Sequence, residues 1–318
     1  MECLQTGPEE TPGILVAATQ RIHGVDRFTL NPEGEYHFHD PAGLEVPDDS
    51  SREKEHSTFD WEGPGCYHWL QQVFSGLFGV PAAGSPFTWK PDAKGLDAIQ
   101  TYTFETGSDV YAEKAGYGVH SDFRMRLNKA DVACSGGGFA QKIAEGITLT
   151  AAAADRPSVV IDPDKVAILV GDSVGGLAAI DWLEAEYSVA GRWAPHFVGG
   201  TASTSFKKHK KRKAQYNVQL VMEHDSASSG YLTALRAKAT KYCRIRAQSA
   251  VEFSSGNAYD LQITFPFRFR KTPKLGNQDD VFGATWELQP IYLPTYLTTG
   301  GFMEIVLTNG TTVEEEEE

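Results

Sequence analysis

Two long stretches of the chain alternate apolar and polar residues with period two, the pattern of strands that turn one face to a core. Tyr259, Leu261, Ile263, Phe265, Phe267 and Phe269 alternate with Asp260, Gln262, Thr264, Pro266, Arg268 and Arg270. Pro266 cannot donate to a ladder, so this pattern predicts an edge strand or a bulged one. Upstream, Tyr117, Val119, Phe123, Met125 and Leu127 share one face, interrupted at Ser121. Gly118, His120, Asp122, Arg124, Arg126 and Asn128 share the other. Shorter alternations occur at Tyr216-Val218-Leu220-Met222 and Cys243-Ile245-Ala247. Helical spacing is rarer. Tyr67, Leu70, Phe74, Leu77 and Phe78 lie on one stripe between Gly63-Pro64-Gly65 and Gly79-Val80-Pro81. A second helix is expected to start in Ser226-Ala227-Ser228-Ser229, with Leu232, Leu235, Ala239 and Tyr242 on its stripe. A third is expected over Leu177 to Tyr187. The fold class that follows is mainly β with minor α.

The order of these elements recurs loosely. A helix at Cys66–Phe78, a strand ending near Thr103-Phe104 and the strand holding Phe123-Arg124-Met125-Arg126-Leu127 are matched by the second helix, the Cys243 strand and Phe267-Arg268-Phe269-Arg270-Lys271. An acidic-valine pair follows in each case, Asp131-Val132 and Asp280-Val281, then a last strand, Phe139 to Ile143 and Ala284 to Ile291. An internal duplication is therefore expected, with residues 1–155 as the first half, 156–313 as the second and 314–318 as an acidic, disordered tail. The join lies in the Ala-, Asp- and Pro-rich segment Ala151 to Asp164.

Composition narrows the function classes. Lys and Arg number 29 against 42 Asp and Glu, a formal charge of −13, and the chain stays acidic without Glu314–Glu318. Such a surface repels duplex DNA, whereas an acidic channel wall would let DNA slide past without sticking. No run of about 20 uncharged apolar residues occurs, so no membrane span is expected. The N-terminal residues lack a basic and then apolar leader, so no secretory signal is read. Cys3, Cys66, Cys134 and Cys243 have no metal-finger spacing and are expected as free thiols of a reducing cytoplasm.

Candidate chemistry is sparse. Gly171-Asp172-Ser173-Val174-Gly175 follows the expected strand Val166–Val170, which is the setting of a nucleophile elbow. A serine hydrolase would need an acid and then a histidine downstream, yet no histidine follows His224, and the alternating strand–helix units of a parallel sheet are missing. The segment reads as a turn, with hydrolase kept as the alternative. Ser135-Gly136-Gly137-Gly138 reads as a loop or bulged turn, since no Gly-Lys-Ser or Gly-Lys-Thr phosphate motif occurs. His37 and His39 share one face of a possible strand without an evident third ligand, and Glu53, Glu55 and His56 fall in an expected charged loop. The basic run Lys207, Lys208, His209, Lys210, Lys211, Arg212 and Lys213 stands out in an acidic chain. Self-contact with acidic surface of a neighbouring copy is the favoured reading, ahead of a solvated loop or a phosphate contact. No cofactor is expected.

The second half resembles the tail tube, or major tail, proteins of long-tailed bacteriophages. The resemblance lies in Tyr216-Asn217-Val218-Gln219-Leu220-Val221-Met222-Glu223, Tyr231-Leu232-Thr233-Ala234-Leu235-Arg236-Ala237, Tyr242-Cys243-Arg244-Ile245-Arg246, the Tyr259 strand and Trp286-Glu287-Leu288-Gln289-Pro290. The lead-in from Ile168 to Ser205 is also similar, with Ala194-Pro195 and Thr204-Ser205-Phe206. In the first half, Ser57-Thr58-Phe59-Asp60 and Gly118-Val119-His120-Ser121 are similar in the same way. The resemblance implies a β-sandwich or barrel with a helix packed at its side. It also implies a structural virion protein without catalytic residues, whose rings stack into a hollow tube that carries DNA through its lumen. A duplicated chain would form a ring of three with pseudo-sixfold symmetry, a single-copy chain a ring of six. Polar loops at Asp48–His56 and Lys271–Asp280 would join successive rings. Tape measure, tail terminator and tail tip proteins are the implied partners, with assembly in the bacterial cytoplasm. A β-sandwich binding or decoration module is the remaining alternative.

Overall fold

The computed structural model describes residues 3–40, 42, 45–47, 49–81, 84–93, 97–198, 204–223, 226–278, 281–297 and 300–310. The chain is mainly β. Its first half supplies β1 (Cys3–Glu9), β2 (Gln20–Ile22), β3 (Arg27–His39), β4 (Asp49–Pro64), α1 (Tyr67–Phe78), β5 (Phe87–Trp89), β6 (Thr101–Gly107), β7 (Ala112–Asn128), β8 (Val132–Ala140) and β9 (Ala144–Glu145). After the connecting β10 (Ala154–Asp155), the second half supplies β11 (Val166–Gly171), β12 (Ala178–Ala179), β13 (Glu184–Ala190), β14 (Trp193–His196), β15 (Lys208–Lys211), β16 (Gln215–Glu223) and α2 (Ser226–Arg236). It ends with β17 (Lys241–Ser254), β18 (Asn257–Phe269), β19 (Lys274–Gln278), β20 (Val281–Pro290) and β21 (Glu304–Thr308).

The broadest sheet runs β3, β4, β8, β7, β13, β16, β20, with every neighbour antiparallel. The far side of β20 is shared by β19 and the last residues of β18. Through β18 the sheet folds over into a second layer, β12, β11, β17, β18, β21, β5. The first part of β7 belongs to a third layer, with β6, β1, β2 and β10 on one side and β9 on the other.

Both halves carry the same pairing scheme. In the first, β1 pairs β2 and β6, β3 pairs β4, β4 pairs β8, and β7 pairs β6, β8 and β9. In the second, β11 pairs β12 and β17, β13 pairs β16, β16 pairs β20, and β18 pairs β17, β20 and β21. The helix follows the fourth strand at the same spacing, Pro64 to Tyr67 and Glu223 to Ser226. The second half differs in its β14–β15 hairpin and in a break at residues 270–273, so that β18 and β19 together occupy the place of the single long β7.

One apolar core spans both halves. Every residue of α1 except Gln71 is buried. Trp69 meets Trp61 edge-on, Phe74 meets Phe123 and Trp89, and the Tyr67 hydroxyl donates to the carbonyl of Ala247 at 3.2 Å. The helix therefore lies between layers and not at the side of a barrel, as the resemblance had implied. Gly79, at φ 109°, ends it where an L side chain would be strained.

Several sequence expectations need correction. Pro266 is not on an edge: β18 pairs β17 on one side and β21 then β20 on the other. The proline falls where that second partner changes, between Thr264 and Phe267, so no ladder bond is lost there, and its carbonyl accepts from Ile291 N. Leu177–Tyr187 is not a helix: it follows a 3-10 turn at Val174–Gly176 and holds β12 and the start of β13, with Ala178 and Ala179 paired to Val170 and Leu169. The helix α2 stops at Arg236, and Tyr242 belongs to β17. Ser135–Gly138 lies inside β8. The charged run holding Glu53, Glu55 and His56 is strand, and so is Lys274–Gln278 within the expected loop Lys271–Asp280. Asp48, Asp280 and 314–318 lie outside the described residues.

The strand β7 does not keep one face throughout. A bulge between His120 and Asp122 takes up Ser121 against Gly138 and Gly137. The added residue exchanges the faces. Phe123, Met125 and Leu127 enter the main core, while Tyr117 and Val119 pack with Phe139, Trp193 and Phe206 in a second cluster. His120 is thereby carried into the main core, fully buried against Phe59, Trp69, Tyr102 and Phe104.

Candidate assembly surfaces

The basic run forms an arm. Lys208–Lys211 pairs with Trp193–His196 as an isolated two-stranded hairpin, and alternation sends Lys208 and Lys210 to solvent. His209 and Lys211 face the body. His209 Nδ1 lies 3.3 Å from the Tyr117 hydroxyl, and Lys211 Nζ reaches the carbonyls of Asp92 and Ala93 at 3.5 and 3.4 Å. Burial, with nearby Arg192, pushes the Lys211 ammonium pKa down. Lys207, Arg212 and Lys213 are exposed. The run is thus split, with one of its lysines tied to the body and the others free to meet an external anion.

The root of this arm is fixed by Arg192, which is 1% exposed. Its guanidinium bonds Asp97 Oδ2 and the Tyr216 hydroxyl, each at 2.5 Å, and lies over the Phe78 and Trp193 rings. Arg192 N donates to the carbonyl of Ser121, and Gly191 N donates to Asp122 Oδ1. The β7 bulge of one half is thereby clamped by the other.

The outward face of the broad sheet is polar. Asp60, Glu62, Arg124, Arg126, Glu184, Glu186 and Glu287 stand there. Arg124 pairs with Glu186 at 2.5 Å, Arg126 with Glu184 at 3.6 Å and Lys271 with Glu287 at 2.5 Å, so the cations are matched by carboxylates. A shallow cleft on this face has Gly136, Gly137 and Gly138 as its floor and Asp60, Asp122 and Glu186 on its walls. The glycines answer a steric demand: a Cβ on Gly138 would lie 1.9 Å from the carbonyl oxygen of Val119.

Two strand edges of this sheet have no partner strand among the described residues. β3 pairs only with β4, and β19 only with β20. Beyond the sheet body, Glu33–His39 and Asp49–His56 continue as a projecting β-arm that exposes Tyr36 and Phe38. Gln248–Asn257 forms a second arm, with irregular register.

The remaining sequence candidates separate. Ser173 caps its own turn, its Oγ accepting from Gly176 N at 3.1 Å, and Asp172 pairs with Lys241 at 2.7 Å. His37 and His39 stack edge-on with centroids 5.0 Å apart on the exposed β3 arm. Among the described residues no cluster of three or more metal-ligating side chains occurs. Cys66, Cys134 and Cys243 are buried thiols, with Cys243 pushed up to about 12 by burial. No family model and no curated protein matches this chain. Among the described residues no helix is long and apolar enough to cross a membrane.

The open edges and the Arg192 clamp were not legible as sites. Which edge stays unpaired depends on long-range register, and a lone arginine carries no pattern. The one available signal was Pro195 beside Trp193 and the basic run, which marks a short hairpin.

Proposed function

We propose that this chain is a structural ring subunit that assembles into a hollow tube of the bacteriophage tail type, through which DNA passes. The observation that supports this best is one strand scheme laid twice in a single continuous sheet whose two outer edges have no partner strand among the described residues. An unpaired edge favours pairing with another chain, and a closed ring leaves no edge free. With two similar halves per chain, three copies present six similar units around an axis. The resemblance to tail tube proteins points the same way. In this reading the polar outward face of the broad sheet lines the lumen, where Asp60 and Glu62 keep the DNA backbone from adhering. The β3–β4 and β17–β18 arms reach along the tube to the next ring, and the lysine hairpin meets acidic surface of a neighbouring copy. Tape measure, terminator and tip proteins would contact the ends of the tube. The internal repeat is read as a duplication within the chain.

Negative-stain electron microscopy of the purified protein tests this directly. Rings or rods with a central channel are expected. A protein that stays a single compact particle at every concentration contradicts it.

A further inference from the structure

The join between the two halves inside one chain is a template for the join between chains. Within the chain, the end of β7 pairs antiparallel with β13, from Phe123↔Val189 to Asn128↔Glu184. In the repeated scheme β3 stands where β13 stands, and β19 stands where the end of β7 stands. Both are the open edges. We propose that β19 of one copy adds to β3 of the next, head to tail, in the register that β7 and β13 use. This rests on the self-assembly reading and names the surfaces that carry it.

The register follows from the pairings. Pro64 and Glu223 each lie three residues before their helix and face Ala133 and Gly283, so Pro64 matches Glu223 and Ala133 matches Gly283. Arg27 faces Glu62 as Glu184 faces Val221, so Arg27 matches Glu184. Asn128 N donates to the carbonyl of Asp131 at the β7–β8 turn, while Gln278 faces Val281, so Asn128 matches Gln278. The internal pair Asn128↔Glu184 then becomes Gln278↔Arg27 between copies. The ladder continues through Leu275↔Leu30 to Lys274↔Asn31. Burial agrees with this match, because Phe28 and Leu30 are buried as are Ala185 and Tyr187.

Two features of the single chain fit a missing neighbour. Leu275 is 53% exposed, whereas Met125, its counterpart, is 1% exposed on a strand that β13 flanks. The helix α1 is enclosed partly by β18 and β21 of the other half, whereas α2 leaves Tyr231, Leu232 and Leu235 only partly covered. The same relation repeated between copies would cover both.

Cysteine pairing reads the register. Paired residues in an antiparallel ladder have Cα atoms about 4.5–5.5 Å apart, within disulfide reach. Full-length protein carrying Lys274→Cys and Asn31→Cys is expected to give a ladder of covalent multimers on oxidation, collapsing on reduction. The control pair Lys274→Cys with Arg27→Cys lies four residues out of register and should give none, as should each single variant. Leu275→Asp is expected to weaken association at least tenfold in sedimentation, with its thermal unfolding kept close to wild type. Rings in the microscope without the specific cross-link would overturn this pairing while leaving assembly standing. Monomers under all conditions would overturn both, and equal cross-linking by the two pairs would overturn the register.

Discussion

At the scale of single residues, buried polar groups set how stability responds to pH and to substitution. His120 is fully enclosed and neither ring nitrogen has a hydrogen-bond partner. Burial lowers its pKa to about 3, and that of His68, also near Arg156, to about 4. The unfolded chain therefore binds protons that the folded one refuses. Stability is complete above the ordinary histidine pKa near 6.5 and falls as pH drops toward 3. The loss is about 1 kcal/mol per pH unit for each fully buried group. His120→Phe should flatten this acid limb, measured as urea midpoint against pH; an unchanged slope would show that His120 is not its source. Asp97→Ala leaves the buried Arg192 without a countercharge and should cost about 3–5 kcal/mol in chemical denaturation. Glu9 is a third case. Its carboxylate accepts from the Thr101 and Thr103 hydroxyls and from the amides of Gly13 and Tyr117, at 2.8–2.9 Å. It thereby holds Tyr117 at φ 54°. Glu9→Gln turns a donor toward donors and should destabilise by about 1–3 kcal/mol.

At the scale of elements, the period-two patterns identified the strands and their inward residues, because alternation is a property of the backbone itself. Tyr259, Leu261, Ile263, Phe265 and Phe267 are all buried, as the pattern requires. The same pattern misled at Ser121, where a bulge adds one residue and the faces exchange. The glycine run Gly136–Gly138, expected as a loop or bulged turn, instead serves the strand β8 beside that bulge. Gly138→Ala should therefore destabilise by about 1–3 kcal/mol or more, since the obstructing atom is the backbone oxygen of Val119 and cannot rotate away. The same change at Gly175, where a Cβ meets nothing within 4 Å, should be near neutral, and equal effects in thermal melts would refute the account. Leu177–Tyr187 failed for a different reason. Its apolar spacing suits a helix, yet Ala178 and Ala179 pair with a strand already present in β11, and tertiary pairing overrides local spacing.

At the scale of the whole molecule, charge and edges decide behaviour. If the outward sheet face lines a channel, Asp60→Lys with Glu62→Lys should slow DNA ejection from assembled particles and make that rate strongly salt-dependent, because phosphates would bind the new cations. Unaltered ejection kinetics would place that face elsewhere. By itself the sequence determined the mainly-β class, the inward face of most strands, the position of α1 and the loose recurrence of element order, all of which follow from local periodicity and turn residues. Only the tertiary structure decided that α1 is enclosed by both halves, that β7 exchanges faces at Ser121, and that β3 and β19 each keep one edge unpaired among the described residues. These depend on which distant strands meet and in what register. That choice is made by packing across the whole core, where no window of sequence holds both partners.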